Sequence, residues 1–372
     1  MRLAIIHDGI YCKGGAERVL LNIHRAFPEA PIYTSIYDKN NSYSEFHNCD
    51  IRTSWLQYFV KSEKIFKNTF LLTAVRAMQS HNLSNYDVIL TSTTHCAKYV
   101  KVNKDCLFIN YCHQPFRLAW NPSSYRRYED SKYFYRYLFN KVIKYLQYID
   151  YKYAQRADSY IANTFETSLK IRKCYNYNSK IKIIYPSIDM SQYYLTDNLK
   201  KYYLIVSRLE KYKKVDLAIK VFNKLGNPLK IVGSGMEEKY FKNLAKDNIE
   251  FLGKVNEERL LELYSNCKAL IFPQHEDFGI TPLEANSSGR PVIAYGKGGI
   301  LDTMIPYNGK DNKFTSVFFN YQNMDSLIEA INTFESLDAD PTFIRDNAKR
   351  FDNDVFIAQL REFINNEYSK KN

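Results

Sequence analysis

ALIFPQHEDFGITPLEANSSGRPVIAY, residues 269–295, reads as strand, loop, helix and strand, and the rest of the fold follows from it. ALIFP (269–273) is a short apolar run of the kind that a parallel sheet buries on both faces, and PVIAY (291–295) is a second. Between them Thr281-Pro282-Leu283-Glu284 predicts a helix start, with Thr as N-cap, Pro at the first helical position and Glu three after the cap.

The same rhythm extends upstream. YYLIVS (202–207), LKIVG (229–233) and IEFLG (249–253) are strand candidates, and VDLAIKVFNKL (215–225), 236–247 and 257–267 are helical. In the first half LAIIH (3–7), APIYTSIY (30–37), DVILTST (87–93), CLFINYC (106–112) and SYIANT (159–164) read as strands. Helical patterns cover 16–27, 54–78 and 132–156. Pro186 and its polar neighbours break the rhythm over 181–198, which marks a connection between domains. The expected fold is therefore α/β, with two Rossmann-like, doubly wound parallel sheets facing a central cleft. The boundaries fall at 1–186 and 187–355, with a C-terminal helix of about 356–372 that packs back onto the first domain. In such sheets ligands bind beyond the carboxyl ends of the strands.

Bulk composition narrows the class. A chain of 372 residues, 45% hydrophobic and 25% charged, suits a globular two-domain protein. The start MRLAIIHDG is not expected to act as a signal peptide, because Asp8 interrupts its apolar run. No apolar stretch approaches bilayer length, so a cytoplasmic protein is expected. Seven scattered cysteines without a Cys-x-x-Cys point to reduced thiols and away from zinc. Net charge is +12, and all of it resides in residues 1–190, where 27 Lys/Arg face 15 Asp/Glu. That imbalance suits an anionic partner, a membrane surface or a phosphorylated ligand. The plain alternative is compositional, since the chain is crowded with Tyr, Asn, Lys and Ile.

Candidate chemistry lies at the strand ends. Glu276 precedes the 281–284 helix start and Glu284 sits inside it. A capping box would account for Thr281 and Glu284, but not for Glu276 or Gly279. Carboxylates flanking the free N–H groups of a helix start suit a polyhydroxylated ligand, with Phe278, Gly279 and Ile280 offering backbone. Arg208 and Lys213 follow the 202–207 strand and would neutralise a diphosphate leaving group. Gly14-Gly15 and Gly233-Ser234-Gly235 each follow a strand, where a glycine lets backbone approach a phosphate. YCHQPFRLAW (111–120) places His113, Arg117 and Trp120 after another strand. Each of these has a plain structural reading: a solvated basic loop, a tight turn, a core histidine.

Taken together and in order, these residues resemble the GT-B retaining glycosyltransferases of family four. Glu276 and Glu284 match the family's Glu-x7-Glu. Arg208, Leu209, Lys213 and Asp216 match Arg-Leu-x-x-x-Lys-Gly-x-Asp, with Lys214 where the family has Gly. Residues 14–18 match Gly-Gly-Ala-Glu-Arg. Within the family, HDGIYCKGGAERV, YCHQPFRLAW, YPSID and EDFGITPLEA are similar to bacterial O-antigen mannosyltransferases.

The resemblance implies roles. Glu276 would hold donor-sugar hydroxyls and Glu284 the ribose. Arg208 and Lys213 would grip the diphosphate with help from the Gly15 and Gly233 backbone, and His113 would lie near the reacting centre. Arg117 and Trp120 would meet the acceptor. The family's Gly-Gly-x-x-Glu is shortened here by a methylene, to Gly298-Gly299-Ile300-Leu301-Asp302. No carboxylate stands out as a covalent nucleophile, so retention through an oxocarbenium-like state is expected, the departing phosphate taking the acceptor's proton. No metal or other cofactor is expected, and Asp338-Ala339-Asp340 is read as a chance match to a metal motif.

The expected activity moves a hexose, mannose from GDP-mannose, onto a lipid-linked oligosaccharide, O-antigen or other polysaccharide. No nucleic-acid partner is expected. Stretches 54–78 and 132–156 mix Trp, Tyr and Phe with Lys and Arg, the makeup of an interfacial helix on the inner membrane face. The rivals are a GT-B sugar-nucleotide epimerase and a non-enzymatic basic binder of membranes or nucleic acid.

Overall fold

The computed structural model of the chain describes residues 1–60, 73–124 and 133–371. It divides into two compact units, Met1–Ser187 with Asp354–Asn372, and Ile188–Asn353.

The first unit is built on seven parallel strands: β1 (Leu3–His7), β2 (Ile32–Thr34), β3 (Ile51–Thr53), β4 (Val88–Thr93), β5 (Leu107–Cys112), β6 (Ser159–Ala162) and β7 (Ile181–Ile183). Their order is β3-β2-β1-β4-β5-β6-β7. Successive strand residues alternate between two apolar layers. Leu3, Ile5, Leu90 and Ile109 pack with helix α1 (Gly15–Ala26), while Ala4, Ile6, Ile89 and Phe108 pack on the other face with helix α2 (Tyr133–Ala154). Both faces are covered, which is why these strands read as unbroken apolar runs rather than alternating ones.

The second unit holds β8 (Tyr203–Val206), β9 (Leu229–Val232), β10 (Ile249–Gly253), β11 (Leu270–Phe272), β12 (Val292–Tyr295) and β13 (Ser316–Phe319), all parallel, in the order β10-β9-β8-β11-β12-β13. Helices α3 (Val215–Leu225) and α4 (Ile280–Ser287) follow β8 and β11. The last helix, α5 (Asn353–Lys371), buries Phe356, Leu360 and Ile364 against β1, β4 and α1 of the first unit. Each such side chain contributes about 1.5–3 kcal/mol of burial.

Strands β3, β7 and β13 were not legible in the sequence. β3 (IRT) and β7 (IKI) are three residues long, lie at the sheet edges and put a basic side chain outward at their centre. Short, charged edges resist further strand pairing, and they carry too few apolar residues to show a period. The expected 30–37 strand shrinks to Ile32–Thr34. Of the expected 54–78 helix, Trp55–Tyr58 forms a 3₁₀ turn and 61–72 lie outside the described residues.

Candidate functional site

In each unit the chain runs outward from a central strand, then returns to build the other side, so direction reverses between β1 and β4 and between β8 and β11. Adjacent loops leave the sheet in opposite directions at such a point and open a crevice there. The loops after β8 and β11 carry Arg208, Lys213 and Glu276.

The second unit brings these three together. Lys213 is nearly buried and forms an ion pair with Glu276, which is about a quarter exposed. The Lys213 ammonium lies 5.2 Å from the centre of the Tyr212 ring, and Arg208 donates to the Tyr212 hydroxyl at 2.7 Å. Arg208 itself stays exposed. Tyr212 thus links the two cations. Lys213 is turned into this position by Lys214, whose φ of +55° is left-handed and joins the 211–213 turn to α3.

Glycines bring the backbones close around Glu276. The Glu276 carbonyl accepts from Gly299 N–H at 2.9 Å, and Glu276 and Gly298 form a parallel bridge. A Cβ at Gly298, where φ is +92°, would stand 2.3 Å from that carbonyl oxygen, and one at Gly299 2.2 Å from the Asp277 oxygen. The Gly-Gly of the 298–302 motif is therefore the floor under the Glu276 loop. Asp302 lies in the short helix Ile300–Thr303 that follows. Gly233, with φ of +129°, is equally confined: a Cβ would meet the Ser207 oxygen at 1.9 Å, packing the loop after β9 against the residue before Arg208.

The capping-box reading of Thr281 and Glu284 is corrected here. α4 begins at Ile280, its N-cap is Gly279 with φ of +84°, and no side chain caps it. Glycine tolerates that left-handed geometry, so the helix starts earlier than a Thr cap would allow and Thr281 falls inside the first turn. Glu284 accepts a 2.7 Å bond from Tyr264, which is fully buried. Burial, then the Glu284 charge, raise the Tyr264 phenol well above its usual range, so it remains a donor. Phe278 is buried and Ile280 half-buried. The first N–H groups of α4 have no intrahelical acceptor.

In the first unit His113 follows β5 and is buried. Its Nε2 lies 2.8 Å from Ser92 Oγ, which lies 3.1 Å from His7 Nδ1. The Ser92 hydroxyl has one proton, so at most one of the two imidazoles can accept from it and at least one must donate to its oxygen, which couples their tautomers. Burial, then repulsion from His7, push the His113 pKa down to about 3, and its ring is neutral at physiological pH. Gly15 opens α1, and a Cβ there would touch nothing within 4 Å, leaving its approach open. Arg117 donates to Gln114 at 2.9 Å.

Trp120, read as an acceptor contact, is largely committed to the core. Its indole N–H donates to buried Asp150 at 2.8 Å and its ring packs edge-on to Tyr175. Asp150 also accepts from Tyr99 and Tyr175, and pairs with buried Lys98 at 2.6 Å.

The sequence reading missed Tyr212, Tyr264, Ser92, His7 and Asp8. His7-Asp8 at the end of β1 was the one available signal. Asp8 Oδ1 accepts from Cys96 and Ala97 N–H, and Oδ2 from Thr94 and His95 N–H. Burial works against ionisation, but the His95 charge and hydrogen bond, then His7 and Thr94, outweigh it and hold the carboxyl well below its usual range. Among the described residues Asp8, His95 and Cys96 are the grouping with metal-ligating atoms within 4.8 Å. Both Asp8 oxygens are already bonded to the 94–97 loop, so the cluster reads as a loop clamp. Asp340 caps the helix Pro341–Lys349, accepting from Thr342 and Phe343 N–H, which gives that residue of the Asp338-Ala339-Asp340 stretch a structural role.

Comparison with known proteins identifies the family. Residues 13–192 match the family described as Glycosyltransferase Family 4, and residues 189–351 match Glycosyl transferases group 1. The alpha-1,3/1,6-mannosyltransferase ALG2 of Candida glabrata is 25% identical, with 98% of this chain and 92% of the relative covered. The ALG2 of Saccharomyces cerevisiae is 24% identical over 84% of this chain and 72% of its own. In fold, the chain is similar to HepE of Anabaena solved with UDP-glucose, at a TM-score of 0.71 and 17% identity over 98% of this chain and 100% of the other. A sucrose-phosphate synthase from Thermosynechococcus elongatus gives a TM-score of 0.74 at 17% identity, with both chains fully covered. With two parallel-sheet units and a glycosyltransferase family matched to each in turn, the chain belongs to the GT-B glycosyltransferases of family four.

Proposed function

We propose that the chain transfers mannose, from GDP-mannose, to a lipid-linked oligosaccharide or polysaccharide acceptor such as O-antigen, with retention of configuration and peripherally on the inner face of a membrane. The observation that supports this most is the Lys213–Glu276 pair at the carboxyl edge of β8 and β11, with Arg208 tied to it through Tyr212. A partly buried cation beside an acceptor-only carboxylate suits a ligand that is anionic at one end and hydroxylated at the other. Glu276 takes sugar hydroxyls. Glu284, steadied by Tyr264, takes the ribose, and Arg208 and Lys213 stabilise the departing diphosphate with the Gly233 backbone beside them. Phe278, Gly279 and Ile280 offer backbone to the sugar. From the first unit, Gly15 is assigned to the diphosphate, His113 to the reacting centre as a neutral imidazole, and Arg117 to the acceptor. The reaction asks for no metal, because the two cations Arg208 and Lys213 already address the phosphates.

The mannose assignment rests on the ALG2 relatives, whose name states that activity. The comparisons lend no support to the epimerase reading. The test is radiolabelled GDP-mannose, UDP-glucose and UDP-galactose, each incubated with and without a lipid-linked acceptor. Label should pass to the acceptor from GDP-mannose alone, and Glu276→Ala should abolish it while the protein stays folded. Transfer from a uridine donor only would overturn the mannose assignment.

A further inference from the structure

The buried stripe of α2 is Ile143, Leu146, Asp150 and Ala154, spaced as one face of a helix. Around the opposite half Tyr137, Leu138, Val142, Tyr145, Tyr148 and Tyr151 are each 39–60% exposed. Lys141, Lys144 and Lys152 are exposed among them. At 3.6 residues per turn, Lys141, Tyr145, Tyr148 and Lys152 run along the middle of this outward face. The Lys141 ammonium lies 4.7 Å from the Tyr137 ring centre, and that of Lys152 6.0 Å from Tyr148. The single acid of the helix is Asp150, buried and paired with Lys98. The outward face therefore carries aromatic rings and positive charge, and no negative charge of its own.

Isolated exposed apolar side chains are ordinary, but a contiguous row along one helix marks an interaction surface. Tyrosine, with an apolar ring and a polar tip, is the residue of the membrane–water interface, and lysine beside it reaches anionic headgroups with its stem lying on apolar surface. We infer that the outward face of α2 docks flat on an anionic lipid bilayer, with its tyrosines at headgroup depth and its lysines on lipid phosphates. A convex helix face suits a plane. Single-stranded nucleic acid, which also favours aromatic and basic side chains, is tracked by a groove. The inference deepens the membrane part of the proposed function and needs neither the donor nor the acceptor assignment.

The test is sedimentation of the full-length protein with vesicles of phosphatidylcholine alone and of phosphatidylcholine with phosphatidylglycerol. Wild type should bind the anionic vesicles and lose them as salt rises. K141Q/K144Q/K152Q should bind about 100-fold more weakly, at roughly fivefold per lysine near the surface. Y145A/Y148A should weaken binding most at high salt, where the lysines are screened. All these side chains are exposed, so circular dichroism should show both variants folded, and turnover on a detergent-soluble acceptor should be unchanged. Equal binding of wild type and the lysine variant, no binding at all, or preference for single-stranded RNA over vesicles would each overturn the inference. Because vesicle binding is measured without substrates, its loss sinks the docking face and the membrane placement and leaves the catalytic reading standing. A wild type that binds vesicles but transfers no sugar sinks the catalytic reading alone.

Discussion

Gly298→Ala separates a glycine that is merely permitted from one that holds the site. The new Cβ would lie 2.3 Å from the Glu276 carbonyl oxygen and 2.5 Å from His275 Cδ2, about 1.1 Å short of ordinary contact at 3.4 Å. The obstruction is backbone, so the Glu276 loop must move by about that distance. The left-handed φ of +92° adds about 1–2 kcal/mol of strain, and the forced shift about 1–3 kcal/mol more. A displacement near 1 Å of a group that orients substrate costs on the order of 100-fold in rate. Gly253→Ala is the internal control. Its φ is +65° and its Cβ would meet nothing within 4 Å, so it carries the conformational cost alone, about 1 kcal/mol. Urea unfolding and steady-state turnover on the same preparations are the assays. G298A should lose about 2–5 kcal/mol and roughly 100-fold in kcat, and G253A should keep wild-type kcat. If G298A matched G253A in both, the 298–299 backbone would not be holding Glu276.

Lys214→Gly should raise stability by about 0.5–1 kcal/mol in urea unfolding, because glycine relieves the left-handed cost at φ +55° and gives back part of that as unfolded-chain entropy. Asp150→Ala should cost about 3–5 kcal/mol by leaving Lys98 buried with one carbonyl partner, His95. Lys98→Met should cost less, since Asp150 keeps three donors in Tyr99, Trp120 and Tyr175, and equal losses would count against that asymmetry. Burial pushes the His81 pKa down to about 4, so between about 6.5 and 4 the unfolded chain binds a proton that the folded chain refuses. Stability should fall as pH drops through that window, and the loss from pH 7 to pH 5 should be about 2 kcal/mol smaller in His81→Leu. For Glu284→Gln, calorimetry should show weakened nucleoside diphosphate binding with little change in Tm, whereas Tyr264→Phe should weaken binding less; a Tm loss with unchanged affinity would reduce Glu284 to a structural role.

The sequence alone determined the alternation of strands and helices, and so the two parallel sheets, because burial on both faces leaves runs such as LAIIH and ALIFP that are legible one residue after another. It also placed Arg208, Lys213, Glu276 and Glu284 at strand ends and helix starts, because those positions follow from local order. Only the tertiary structure decided which of them meet. Lys213 and Glu276 pair because β8 and β11 are neighbours at the point where the sheet reverses direction. Gly298 lies under Glu276 because β12 is laid beside β11, and His113 shares a proton network with His7 because β4 sits between β5 and β1. Neighbouring strands in a parallel sheet are joined by whole crossovers, so the partners at their ends lie tens of residues apart, and no period in the chain records which strand lies next to which.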